Sequence, residues 1–297
     1  MDSSDASPDT LLWGEADFGR LMHVEAGSDD VLRSVLNEDN GIGMVFGGQM
    51  LGLSLMAASR TVPHDRPARN LQITFVRPGK VSDAIEFRVD PMLDGRRAST
   101  RLVRLVQGTK VLGAGNISFQ VPESGLERAE PVPDYEPPEA LVDVCDLVRA
   151  TPSVQHGYGL ATISRKLGVE FRLVRPEAFV TRRREVSRFQ FWMRLRRPIA
   201  DDLRLHQAAI LYLTDWLMAF APVLPLWSMG EAQRMPILTL NHDAWFYHPF
   251  RADDWLLVDV EGPVLQASRG VSLANIYVRS GERVAMISQE SFYPSVP

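Results

Sequence analysis

The segment Phe75-Val76-Arg77-Pro78 returns in altered form as Phe246-Tyr247-His248-Pro249, 171 positions further on. Asp83 falls on Asp254 at the same offset. Gly108 falls on Gly281, Asn116 on Gln289 and Phe119 on Phe292, at an offset of 173. Ahead of each set of matches lies one long helical segment, Gly48 to Arg60 and His206 to Pro222, aligned through Gln49 and Gln207. A period this long means duplication of a whole domain rather than a solenoid. The fold must therefore be one that works twice.

The strands follow from period-2 alternation bounded by turn residues. They are expected at Ser82 to Pro91, Ser99 to Gln107 and Val111 to Gln120, and again at Trp255 to Gly262, Gly270 to Arg279 and Arg283 to Phe292. Gly108-Thr109-Lys110 and Ser280-Gly281-Glu282 are the matching hairpin turns. Between the halves, residues 122–157 hold Pro122, Pro131, Pro133, Pro137, Pro138 and Pro152 among acids. That stretch reads as a linker with one short helical piece, Glu139 to Val148. The predicted organisation is residues 1–121, a Pro-rich linker over 122–157, and residues 158–297.

The segment Ala208 to Phe220 is apolar nearly all round, so a helix there must be surrounded. A curved antiparallel sheet wrapped around it would do this. Two such units can join their sheets edge to edge and cover exposed strand edges. The expected class is α+β, a tandem (double) hotdog in which each half wraps a sheet around a long central helix.

Net charge is −5, with no Lys/Arg-rich run, so a nucleic-acid partner is not expected. Cys145 is the single cysteine, which excludes an intramolecular disulfide and suits a reducing, cytoplasmic compartment. Met1 to Thr10 lacks the basic patch and apolar stretch of a signal peptide. Ala208 to Trp227 is about long enough to span a bilayer, but Asp215, Pro222 and Pro225 favour a core helix, so no membrane insertion is expected. No His/Cys/Asp cluster shows metal-ligand spacing. Gly-x-Ser-x-Gly, Walker A and dinucleotide fingerprints are absent.

Phe46-Gly47-Gly48-Gln49, Phe75-Val76-Arg77-Pro78-Gly79, Asp94-Gly95 and Ser118-Phe119-Gln120 resemble the N-terminal half of the acyl-CoA thioesterase II family. Leu203-Arg204-Leu205-His206-Gln207, Thr214-Asp215, His242, Trp245-Phe246, Pro249-Phe250, Trp255-Leu256-Leu257, Ser268-Arg269-Gly270 and Gln289-Glu290 resemble its C-terminal half. The resemblance runs in order over nearly the whole chain. It implies a double hotdog that hydrolyses acyl-CoA to free fatty acid and CoA, with no metal or organic cofactor. It also implies an Asp, a Thr and a Gln around the attacking water, at Asp215, Thr239 and Gln289. Gln72 stands where the family usually has His. The run Asn241 to Phe250 departs from the family's Asp-His-Ser/Ala-Met-Trp-Phe-His-Arg-Pro-Phe.

Thioester hydrolysis needs an activated water and stabilisation of a carbonyl oxyanion. Asp215 sits among Leu211, Leu213, Trp216, Leu217 and Met218, which should desolvate its carboxyl and make it more basic. Its repeat partner is Ala57, so one working site per chain is expected, in the second half. The Thr239 hydroxyl would hold Asp215 or the water. Gln289 can donate and accept at once. Gly47 and Gly48 open the first helix, where free N–H groups suit an oxyanion or phosphate. His242 and Arg269 are candidates for shaping the substrate region. A homodimer or homotetramer is expected. Two alternatives remain: an acyl-CoA binder without activity, and an enoyl-CoA hydratase. The hydratase typically pairs Asp with a His five residues on, where this chain has Phe220.

Overall fold

The computed structural model describes residues 17–27, 31–151, 160–166, 168–176, 187–226 and 237–294. The expected features at Met1 to Thr10 and Trp227, and the linker's residues 152–157, lie outside these. In chain order the elements begin with α1 (Phe18–Leu21), β1 (Val24–Ala26), β2 (Leu32–Ser34) and α2 (Gly47–Ser59). The strands β3 (Ala68–Phe75), β4 (Glu86–Asp94), β5 (Ala98–Gln107) and β6 (Lys110–Gln120) follow. Next come α3 (Val144–Ala150), within the connection, then α4 (Leu160–Ser164), β7 (Val169–Leu173), β8 (Arg188–Leu195) and α5 (Leu203–Thr214). The chain continues through β9 (Leu238–Phe246), β10 (Leu256–Gln266), β11 (Arg269–Val278) and β12 (Arg283–Phe292).

The strands form one antiparallel sheet in the order β1-β2-β4-β5-β6-β3-β9-β12-β11-β10-β8-β7. Read outward from the middle, the two halves have the same connectivity. The join is the β3–β9 pair, centred where Gln72 faces Asp243. Duplication thus produces two sheets that close each other's inner edges.

The register corrects the repeat alignment. Leu71 faces Ile117, and His242 faces Gln289. With Leu71 matched to His242 by the 171 offset, the counterpart of Gln289 is Ile117, not Asn116. Side chains alternate across a strand, so this one-residue slip changes the face. Asn116 is exposed, whereas Ile117 and Gln289 are fully buried on the inner face.

Both central helices pack on that inner face, and every α2 residue from Gly48 to Leu55 is buried. They run antiparallel and almost touch. A Cβ on Gly48 would lie 2.8 Å from the Tyr212 carbonyl oxygen, and one on Gly52 would lie 3.2 Å from that of Ala208. Glycines four apart on one face permit this approach, because a side chain there would separate the backbones. Asp202 caps the N-terminus of α5 by accepting from the Arg204 N–H at 3.0 Å. The buried Arg204 guanidinium donates to the carbonyls of Ser59, Pro63 and Arg66, satisfying groups at and beyond the end of α2.

The second helix is shorter than the expected His206 to Pro222. It begins at Leu203 and gives way at Asp215, its C-cap, to a turn and a 3₁₀ segment over Met218–Val223. Pro222 has no N–H for a helical bond and its ring clashes one turn back. The 3₁₀ segment instead rests on Gly262, where a Cβ would lie 2.3 Å from the Pro222 nitrogen. None of the described helices is long and apolar enough to cross a membrane.

Three of the expected strands match closely, and β12 matches in full. The strand expected from Ser82 starts only at Glu86, because Asp83 lies in a turn whose carbonyl accepts from Asn37 and Gln107. The connection packs against the outside of the C-terminal half. Val132, Tyr135 and Leu141 join Trp192, Trp255, Leu257 and Tyr277 in a second apolar cluster. Its helical piece is split into a 3₁₀ turn (Pro138–Ala140) and α3, which Asp143 caps by accepting from the Cys145 N–H.

Candidate active site

Asp215 lies at the C-terminal end of α5, not in a helix interior as its surroundings in sequence suggested. The antiparallel packing brings the N-terminus of α2 beside it. The Gly48 N–H donates to the carboxylate. A Cβ on Gly47 would come within 2.7 Å of Asp215 Oδ2, so glycine leaves the carboxylate its place. The Gly48 N–H expected to meet an oxyanion or phosphate is therefore engaged by the protein's own acid.

The sheet supplies the remaining groups. The Thr239 hydroxyl donates to Asp215 Oδ1 at 3.1 Å. Gln289 Nε2 donates to Thr239 Oγ1 at 3.0 Å. His242 Nδ1 lies 3.2 Å from Gln289 Oε1. His242 and Gln289 are directly opposed on β9 and β12, and both are fully buried. The three residues that the sequence singled out as an Asp, Thr and Gln set thus form one connected chain.

Thr239 reaches this chain through a backbone irregularity. His242 points inward, so strict alternation would also turn Leu240 inward and Thr239 outward. Asn241 faces Glu290, but the next residue of β12, Ser291, faces Thr239. Leu240 is therefore an extra residue on β9, and the bulge re-aims Thr239 toward Asp215. The N-terminal half has the same irregularity at Arg69, between the Ala68–Phe119 and Asn70–Ser118 pairs. There Ala68 occupies the place of Thr239. The first half thus carries Ala57, Ala68 and Ile117 where the second has Asp215, Thr239 and Gln289, so the polar constellation occurs in the second half alone.

Burial raises the Asp215 pKa from its ordinary value to about 6, against the opposing pull of the Thr239 and Gly48 hydrogen bonds. The carboxyl is closely surrounded, yet the residue keeps some access to solvent. Phe46, the N-cap residue of α2, and Trp216, which follows Asp215, stack with ring centroids 4.0 Å apart. Burial also pushes the His242 imidazole down to about 4, so it is neutral at ordinary pH.

Arg269 is not part of this group. It pairs in bidentate fashion with Glu290 at 2.7 and 2.8 Å, on the exposed side of β12, and Asn241 Nδ2 donates to the same carboxylate at 2.9 Å. Gln72, the other departure from the family pattern, is exposed on the outer side of β3. A buried ion pair between Lys166 and Glu38, in the segment that leads to Phe46 and Gly47, was not foreseen from sequence. Its members are remote in sequence and follow no motif. Among the described residues no group of His, Cys, Asp and Glu side chains is placed to hold a metal ion.

Two antiparallel sheets joined at their edges, each wrapping a helix, define a double hotdog. Solved thioesterase II structures share it. The acyl-CoA thioesterase II TesB2 of Mycobacterium marinum superposes with a TM-score of 0.77 at 26% identity, covering 94% of this chain and 99% of that one. The acyl-CoA thioesterase C-terminal domain model matches residues 138–293, and the corresponding N-terminal domain model matches residues 36–120. This chain belongs to the acyl-CoA thioesterase family. Acyl-coenzyme A thioesterase 8 of Rattus norvegicus is 31% identical over 85% of this chain and 81% of its own length. Acyl-CoA thioesterase 2 of Haemophilus influenzae is 25% identical over 88% of this chain and 92% of its own.

Proposed function

We propose that this protein hydrolyses fatty acyl-CoA thioesters to free fatty acid and CoA by direct attack of a water molecule at Asp215. The observation that carries the reading is the connected Asp215–Thr239–Gln289 chain at the junction of the two helix ends. Asp215 takes a proton from the water as the oxygen attacks the thioester carbonyl. The tetrahedral intermediate collapses with cleavage of the carbon–sulfur bond. The same carboxyl returns the proton to the departing thiolate. A base with a pKa of about 6 is ionised at neutral pH and still basic enough for this transfer. Thr239 and the Gly48 N–H both donate to the Asp215 carboxylate, whose two oxygens have further lone pairs with which to accept from the water.

The test is thiol release from a panel of acyl-CoAs, short to long and branched. Turnover of one or more members is the expected result. Binding of the whole panel without turnover would instead make the protein an acyl-CoA binder. The reading extends to assembly as a homodimer or homotetramer and to a cytoplasmic location. The second is supported by the lone Cys145, whose thiol burial pushes up to about 11 and so keeps unreactive.

A further inference from the structure

The hydrogen-bond chain has only one direction in which each of its links pairs a donor with an acceptor. Its end, the Asp215 carboxylate, only accepts. Thr239 therefore gives its single proton to Asp215, and its oxygen accepts from Gln289. Gln289 must then turn its NH₂ toward Thr239 and its carbonyl toward His242, so His242 Nδ1 must carry a proton to donate. Burial and the Gln289 amide set the titration of this imidazole, with no charged neighbour contributing, so the ring holds a single proton. Among the described residues its Nε2 has no hydrogen-bond partner. The first half of the chain supplies a comparison. Where Ile117 replaces Gln289, Leu71 replaces His242, so the amide and the imidazole occur together or not at all.

We propose that His242, as its Nδ1–H tautomer, is the positioning residue that fixes the Gln289 amide and, through Thr239, holds the Asp215 carboxylate ready to accept a proton. The assignment of a purpose to this chain rests on the hydrolytic reading above; its direction does not. Without the Nδ1 donor the amide is held only through its Nε2, by Thr239 at 3.0 Å and Ser291 Oγ at 3.4 Å, and its oxygen no longer has a donor to keep it from turning over. A reversed amide offers its oxygen to Thr239 and draws the hydroxyl proton away from Asp215. The acid then loses a hydrogen bond that favours its charged form, so its pKa rises.

The experiment compares wild type with His242→Leu, which has no donor, and His242→Asn, whose amide NH₂ can occupy the place of Nδ1. Each is measured for kcat and KM, for the pH dependence of kcat/KM and for melting temperature. The ring tautomer of wild type is read by nitrogen NMR of histidine-labelled protein, assigned by the signal missing in His242→Asn. In His242→Leu, kcat should fall about 10- to 100-fold with KM little changed, the size typical of lost outer supporting groups. The acid limb should move to higher pH. His242→Asn should recover most of the rate and the original limb. A purely structural histidine would lower the melting temperature without moving the limb and without rescue by Asn, and that result overturns the proposal. So does an Nε2–H ring in the NMR spectrum, which decides the matter even if His242→Leu fails to fold. Absence of turnover by wild type would remove the hydrolytic reading alone, since the tautomer would still report on the chain.

Discussion

Asp215→Asn should lower kcat/KM for the best acyl-CoA at least about 100-fold, a loss of roughly 2.7 kcal/mol of transition-state stabilisation. Asparagine keeps the shape of the side chain and an oxygen that can accept from Thr239, whose hydroxyl is 3.1 Å from Asp215 Oδ1. It cannot take a proton from water. The fall should appear mainly in kcat, because proton transfer occurs only on the way to the transition state. The variant should melt no lower than wild type. Burial already disfavours the charged Asp215, and replacing it by a neutral amide removes that cost. Thiol-release kinetics with melting curves check both halves of the statement. Activity retained by a folded Asp215→Asn variant would exclude Asp215 as the base.

The pH profile should show an acid limb near 6. Asp215 acts as a carboxylate, and burial raises its pKa to about 6. Above that value the working form predominates and kcat/KM is flat on this account. Below it, each unit of pH protonates a further tenfold of the base, so activity at pH 4 should be about 100-fold lower. His242 adds no limb in this range, because burial holds its pKa down at about 4. A profile flat to pH 4.5 in protein that remains folded would contradict the assignment.

The duplication was legible because it is written in residues that both halves need: the Phe-x-x-Pro bends, the hairpin glycines and the helices with their paired glutamines. Alternation located six of the twelve strands, the three that follow the central helix and first strand of each half, β4 to β6 and β10 to β12. Asp215, Thr239 and Gln289 were singled out through resemblance, and the structure joins them in one chain of hydrogen bonds. Four features were not legible. The bulge at Leu240 depends on pairing with β12, and no local pattern distinguishes Thr239 pointing inward from Thr239 pointing outward. The matching of Asn116 with Gln289 erred by one position, which in a strand is an error of face. The end of α5 at Asp215 leaves no local mark, because the apolar pattern continues unbroken past it. Arg269 was a candidate for shaping the substrate region, yet it pairs with Glu290 on the exposed side of the strand.

The central claim is that water attacks the thioester directly at Asp215. It is tested most directly by a single turnover in ¹⁸O-labelled water, with enzyme in excess over acyl-CoA, quenched in acid and read by mass spectrometry. The account predicts fatty acid carrying one ¹⁸O from the first turnover and no acylated peptide at any time. First-turnover fatty acid bearing only ¹⁶O, together with an acyl group on the peptide containing Asp215, would show that the carboxylate itself is the nucleophile and would contradict it.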